Sequence, residues 1–163
     1  MRTMNILFVC SGNVSRSFLA EMLLRKEIVQ RGLKNHLVRS AGLLAYPDSP
    51  PDLRMVEFLV ENEIPFKEHA ARQVSKKDVD WADVILVMQR EHAEMIRQEW
   101  PEAEKKLGLL GRYLTPAGME EEIADPYGRS SYHYRVVQSQ IVMAVRSLAE
   151  RLSSGDQNQV HGD

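Results

Sequence analysis

The feature that most restricts this chain stands near its start. A continuous apolar run, Ile6-Leu7-Phe8-Val9, stops at Cys10-Ser11-Gly12-Asn13, and helical spacing begins at Ser17. A short run that is apolar at every position, with β-branched and aromatic members, suits a strand covered on both faces of a parallel sheet. Beyond Ser17, Leu19, Met22, Leu23 and Ile28 recur at the helical period, and Gly32 ends the segment. Glu21, four residues after Ser17, reads as close to a capping arrangement. The opening unit is therefore strand, tight loop, helix.

The rest of the chain repeats the alternation. Leu37-Val38-Arg39-Ser40 reads as a second strand ending at Ala41-Gly42, and residues 46–52 form a loop of turn formers. Residues 53–63 are an amphipathic helix marked by Leu53, Val56, Leu59 and Val60 and closed by Pro65. A polar stretch with Arg72 and Lys76-Lys77 leads to a buried strand over residues 83–88. Residues 90–99 are helical, Trp100-Pro101 stops them, and residues 107–110 form a fourth strand. An acidic, irregular segment follows over 115–128, then a long closing helix over 130–152. Alternating strands and helices predict an α/β fold with a parallel sheet. Residues 1–153 read as a single domain without repeat or linker, and 154–163 as a polar tail expected to be disordered.

Composition narrows the function classes. A chain of 163 residues is long enough for one ordinary domain. Its 21 basic and 23 acidic residues give a net charge of −2, which argues against a nonspecific nucleic-acid binder. No apolar run is long enough to span a bilayer, so no membrane association is expected. One cysteine excludes an internal disulfide framework and suits a reducing, cytoplasmic setting. The five histidines show no zinc-like spacing. No metal or cofactor is expected.

The chemistry concentrates in residues 10–17. A thiol stands at a strand end, in front of a short loop, an arginine and a hydroxyl at a helix start. Such a loop can turn its N–H groups inward as an anion nest, and the helix N-terminus adds positive potential. Gly12 is expected to adopt backbone angles that a side chain would resist. Arg16 offers a planar fork for two phosphate oxygens. The same field favours an ionised Cys10, which Ser17 can stabilise by donating its hydroxyl proton. A lone cysteine is more often a small buried hydrophobe. The flanking Gly12, Asn13, Arg16 and Ser17, at these offsets between strand and helix, favour the chemical reading.

Residues 9–17, Val-Cys-Ser-Gly-Asn-Val-Ser-Arg-Ser, resemble the signature of the low-molecular-weight protein tyrosine phosphatases. Ser40-Ala41-Gly42, Pro50-Pro51-Asp52, Ala71-Arg72-Gln73, the 82–88 segment and Asp125-Pro126-Tyr127 stand in the family's order. The resemblance implies a three-layer αβα fold with a four-stranded parallel sheet of order 2-1-3-4. It implies Cys10 as nucleophile, Arg16 as phosphate clamp and Asp125 as general acid and base. Ser11, Gly12, Asn13, Val14, Ser15, Arg16 and Ser17 would form the phosphate-binding loop, with Ser40 bracing Asn13. Tyr46 and Tyr127 would wall a deep cleft suited to a phenyl ring. By themselves, Tyr46 reads equally as a half-exposed loop residue and Asp125 as a solvated charge. Phosphotyrosine proteins are the implied partners, phosphate and similar oxyanions the loop's ligands, and a monomer the expected state.

The chain departs from the family at several positions. Ser15 replaces a second cysteine, and it is expected still to contribute to the loop. Phe18, Leu43 and Gln89 replace residues common in the family, and none is expected to touch a chemical group. Arsenate reductases of this fold need further cysteines. Protein arginine phosphatases carry threonine at the position of Val14, so this apolar side chain favours an aromatic phosphomonoester. A phosphotyrosine-binding module without catalysis would not require both Cys10 and Asp125. A P-loop nucleotidase lacks its Gly-Lys-Ser/Thr here. For a cysteine protease no histidine is singled out as partner.

Overall fold

The computed structural model describes residues 3–116, 119–155 and 160. Strand β1 (Asn5–Cys10) is followed by α1 (Arg16–Gln30), β2 (Leu37–Gly42), α2 (Leu53–Glu61) and α3 (Lys76–Trp81). Then come β3 (Val84–Val87), α4 (Arg90–Glu99), β4 (Leu107–Leu109) and α5 (Ser131–Ser154). Short 3₁₀ turns at Pro101–Lys106 and Leu110–Leu114 flank β4. The four strands form one parallel sheet of order β2-β1-β3-β4. The resemblance implied this order.

Period-two alternation in β1 divides the core between the two faces. Ile6, Phe8 and Cys10 pack with Leu19 and Met22 of α1, Met55 and Leu59 of α2, and Ile141, Val145 and Leu148 of α5. Leu7 and Val9 pack on the other face with Val79 of α3 and Ala93 and Ile96 of α4. Both faces of β1 are thus covered, which explains its unbroken apolar run. Register brings Cys10 opposite Gly42, and Val9 opposite Ala41 on one side and Val87 on the other. The carboxyl ends of the three strands meet around Cys10, where ligands of such sheets bind.

Two expectations need correction. The polar stretch after Arg72 contains α3. Its start is held by Asp78, which accepts from the Ser75 backbone N–H at 2.9 Å and hydroxyl at 3.1 Å. Glu21 plays no capping part. Helix α1 begins one residue earlier, at Arg16, and Glu21 is buried within it. Most of the tail expected to be disordered, residues 156–159 and 161–163, lies outside the described residues. Val160 within it is buried, and its carbonyl accepts from the Tyr113 hydroxyl and from Arg112.

Candidate active site

The loop from Cys10 to Arg16 wraps the end of β1. The Asn13 backbone N–H donates to the Cys10 sulfur at 3.3 Å, and the Ser17 hydroxyl lies within hydrogen-bond reach of it at 2.9 Å. The Asn13 side-chain amide donates to Ser17 Oγ at 2.9 Å, so the Ser17 proton is free for the sulfur. Asn13 Nδ2 also donates to Ser40 Oγ at 2.9 Å, and the Ser40 hydroxyl donates in turn to Glu21 Oε1 at 2.6 Å. Asn13 Oδ1 accepts from the Arg72 N–H at 3.0 Å, which fixes the amide's orientation. Arg25 pairs with the far oxygen of Glu21 at 2.8 Å. One polar chain therefore runs from the sulfur through Ser17, Asn13 and Ser40 to a buried, paired carboxylate. A buried network is stabilising only when its members are satisfied, as these are.

The strained residue of the loop is Asn13, with φ of 57°. Asparagine tolerates this left-handed conformation better than most side chains. Gly12 lies outside that region, and a Cβ there would meet nothing closer than Val14 Cγ2 at 3.8 Å. The expected backbone role of Gly12 thus falls to its neighbour. Glycine is required instead at Gly42 on β2, where a Cβ would stand 2.6 Å from the Ser11 carbonyl oxygen. The loop lies directly against that strand, and the Leu43 and Leu44 N–H groups bond the Cys10 and Ser11 carbonyls.

Arg16 is buried, and its guanidinium is held by the chain itself. Nη1 donates to Gln89 Oε1 at 2.6 Å and to the Ile123 carbonyl at 2.7 Å. Nη2 lies 4.0 Å from Asp125 Oδ2. Asp125 is 51% exposed, and its other oxygen accepts from the Tyr127 N–H at 3.1 Å. The Ile123 N–H bonds the Met88 carbonyl at 2.9 Å, so the acidic segment is tied to the end of β3. Gln89, expected to touch no chemical group, is a direct partner of the arginine.

Above the loop opens a cleft of about 600 Å³, lined by Val14, Tyr46, Pro50, Leu53 and Tyr127 among others. Tyr46 and Tyr127 are both largely exposed at its rim. The cleft wall is tied to the loop, since the Asp52 N–H donates to the Val14 carbonyl at 2.8 Å. Asp52 Oδ2 accepts from the Tyr134 hydroxyl of α5 at 2.7 Å. Burial and the adjacent Asp52 carboxylate push the Tyr134 phenol upward, so it stays a donor.

The structure brings together Cys10, Arg16, Ser17, Asn13, Ser40 and Asp125, candidates named from the sequence or the resemblance. Ser15 differs: its hydroxyl is buried and has no hydrogen-bond partner among the described residues. Sequence reasoning missed Glu21, Gln89, His92, Arg72 and the His69 ring, which bonds the Asn13 carbonyl at 2.7 Å. His92 is buried, with Nδ1 accepting from the Gln89 N–H at 3.1 Å and Nε2 2.9 Å from Ser11 Oγ. Desolvation first, and the Arg16 charge second, lower its pKa to about 4, against smaller opposing effects of Asp125 and Glu122. Its one sequence signal was position, three residues past Gln89 on the first turn of α4.

A lone thiol in a strand–loop–helix turn beside a buried arginine, on a 2-1-3-4 parallel sheet, defines a cysteine-dependent phosphatase class. Comparison with known proteins gives the family. The family model described as low molecular weight phosphotyrosine protein phosphatase matches residues 5–158, and the chain belongs to that family. It is 33% identical to a protein-arginine-phosphatase of Bacillus subtilis over 149 residues, 91% of this chain and 97% of that protein. It is 32% identical to the low molecular weight protein-tyrosine-phosphatase Etp of Escherichia coli, over 91% of this chain and 95% of Etp. The structure of Vibrio vulnificus Wzb in complex with benzylphosphonate superposes with a TM-score of 0.81 at 30% identity, over 91% of this chain and 98% of that one.

Proposed function

We propose that this phosphatase hydrolyses phosphotyrosine in proteins through a phosphocysteine intermediate, without a cofactor. The phosphoryl group would sit in the loop with phosphorus over Cys10. Both hydrogens of Arg16 Nη1 are taken by Gln89 and Ile123, which leaves the Nε and Nη2 donors for a two-point grip on the oxyanion. Sulfur attacks in line, the S–P bond forms and the P–O bond to the phenol breaks. Asp125 gives the departing oxygen its proton. Water then attacks phosphorus, Asp125 takes its proton back, and inorganic phosphate leaves with the sulfur restored as a thiolate.

The observation that carries this reading is the pair of donors, the Asn13 N–H and the Ser17 hydroxyl, set against the Cys10 sulfur beneath the loop. Sulfur held in this way suits both attack and later departure. A binding module would need no such provision. The aromatic substrate is supported by Val14 together with Tyr46 and Tyr127 on the cleft. An apolar wall matches a phenyl ring, whereas a phosphoguanidinium needs a hydrogen-bonding partner. The Bacillus relative gives phosphoarginine a second place. A monomer acting in a reducing, cytoplasmic setting fits the single thiol.

Two measurements test the proposal. Wild-type protein should hydrolyse p-nitrophenyl phosphate with a chelator present, and Cys10→Ser should bind vanadate without turnover. Turnover of phosphotyrosine and phosphoarginine peptides is then compared. A larger kcat/KM for phosphoarginine would replace the substrate assignment while leaving the chemistry in place.

A further inference from the structure

His92 bridges the phosphate loop, at Ser11, and Gln89, the residue that holds Arg16. Its Nδ1 faces the Gln89 backbone N–H, an obligate donor, at 3.1 Å. Nδ1 is therefore bare, and the ring hydrogen sits on Nε2. That hydrogen goes to Ser11 Oγ at 2.9 Å. Ser11 follows the nucleophile in the loop, and Gln89 is the residue whose side chain holds Arg16 at 2.6 Å. The ring is almost wholly buried, so water does not compete for either bond. Its low pKa keeps it in this neutral form.

We infer that His92 is a positioning residue that fixes the spacing between the phosphate loop, through Ser11, and the guanidinium of Arg16, through Gln89. The inference rests on the phosphoryl-transfer reading above. In the ground state, loop N–H groups alone can hold a tetrahedral phosphate. The trigonal bipyramid of transfer must also meet Arg16 at a set distance, and there a small misplacement is costly. Because Ser11 Oγ accepts the hydrogen bond from His92 Nε2–H, its own proton stays free to donate. His92 thus acts on the transition state more than on substrate binding.

The test is a double-mutant cycle with Ser11→Ala and His92→Phe, read on p-nitrophenyl phosphate. Each variant should lower kcat about tenfold with KM nearly unchanged, and the double variant should be no worse than the poorer single one. Vanadate, which mimics the bipyramid, should lose affinity in proportion to kcat/KM, while phosphate affinity barely moves. Independent, multiplying losses would overturn the inference, as would equal loss of vanadate and phosphate affinity. If His92→Phe fails to fold, Ser11→Ala alone must show the loss in kcat; full activity in that variant overturns the idea. Nitrogen NMR of the wild type at neutral pH should find Nε2 protonated and Nδ1 bare, and the opposite tautomer would refute it. The wild-type assay separates this from the functional reading: an inactive wild type counts against phosphoryl transfer, while the tautomer and the two oxyanion affinities still judge His92.

Discussion

Gly42 and Ser11 approach so closely that a β-carbon on Gly42 would lie 2.6 Å from the Ser11 carbonyl oxygen, and 3.0 Å from the Asn13 nitrogen. Both of those atoms are backbone, so neither can swing aside as a flexible side chain would. The loop's height above the sheet is thus set by the absence of one methyl group.

Gly42→Ala should therefore damage catalysis far more than folding. Displacing the loop shifts the N–H nest and the Cys10 sulfur together, and misplacement on the order of 1 Å can cost ~10²-fold in rate. We expect kcat/KM for p-nitrophenyl phosphate to drop by about that factor while the circular dichroism spectrum keeps its native form. An alanine variant with wild-type kinetics would show that the loop is free to lift.

In the proposed mechanism Asp125, half exposed and 4.0 Å from Arg16, protonates the departing oxygen. Its removal should matter most when that oxygen is basic. Asp125→Asn should cut kcat for phenyl phosphate by about 10²-fold or more, and for p-nitrophenyl phosphate by clearly less. Equal losses on the two substrates would move the acid elsewhere.

Stability should carry the signature of His92. Its pKa is lowered from 6.5 to about 4 in the fold. Between those values the unfolded chain binds the proton that the native chain refuses, so stability falls as pH drops through this window and is fully present above it. The total is roughly 3 kcal/mol. Urea denaturation of wild type and His92→Asn across the window measures it: the variant's slope should be shallower by this contribution, and parallel slopes would contradict the assignment.

Oxidation should be hard to undo. Cys10 is the only thiol, and Ser15 stands where a second could have formed a disulfide with it. Peroxide should carry the sulfur past the sulfenic stage to acids that thiols do not reduce. Assaying activity after hydrogen peroxide and then dithiothreitol checks this. Complete recovery after prolonged exposure would point to a protecting reaction that the sequence does not reveal.

The covered central strand and the loop residues were legible because they follow from local pattern, whereas the sheet order came from the family resemblance. Apolar runs mark β1 and β3, and the spacing from Cys10 to Ser17 is fixed by one strand end and one helix start. Helix α3 is six residues long and mostly polar, so periodicity could not find it, although Ser75 with Asp78 three residues on was a signal. Gln89, His92 and Glu21 were illegible for a different reason. Their roles come from contacts 19 to 81 residues apart in the chain, and a polar side chain on a helix looks the same in sequence whether it faces water or Arg16. Gly12 misled because Gly in a loop suggests an unusual backbone, whereas the left-handed turn was given to Asn13.

The carbonyl of Ile123 grips Arg16 while its N–H grips Met88, two residues ahead of Asp125. The carboxylate is accordingly mounted on the scaffold that holds the guanidinium. Val14, Tyr46, Leu53 and Tyr127 line the cleft with their side chains, and the contact from this set to Asp125 is made by the Tyr127 backbone N–H. Selection can retailor the aperture for new phosphoproteins, one side chain at a time, without recalibrating the reaction at its floor.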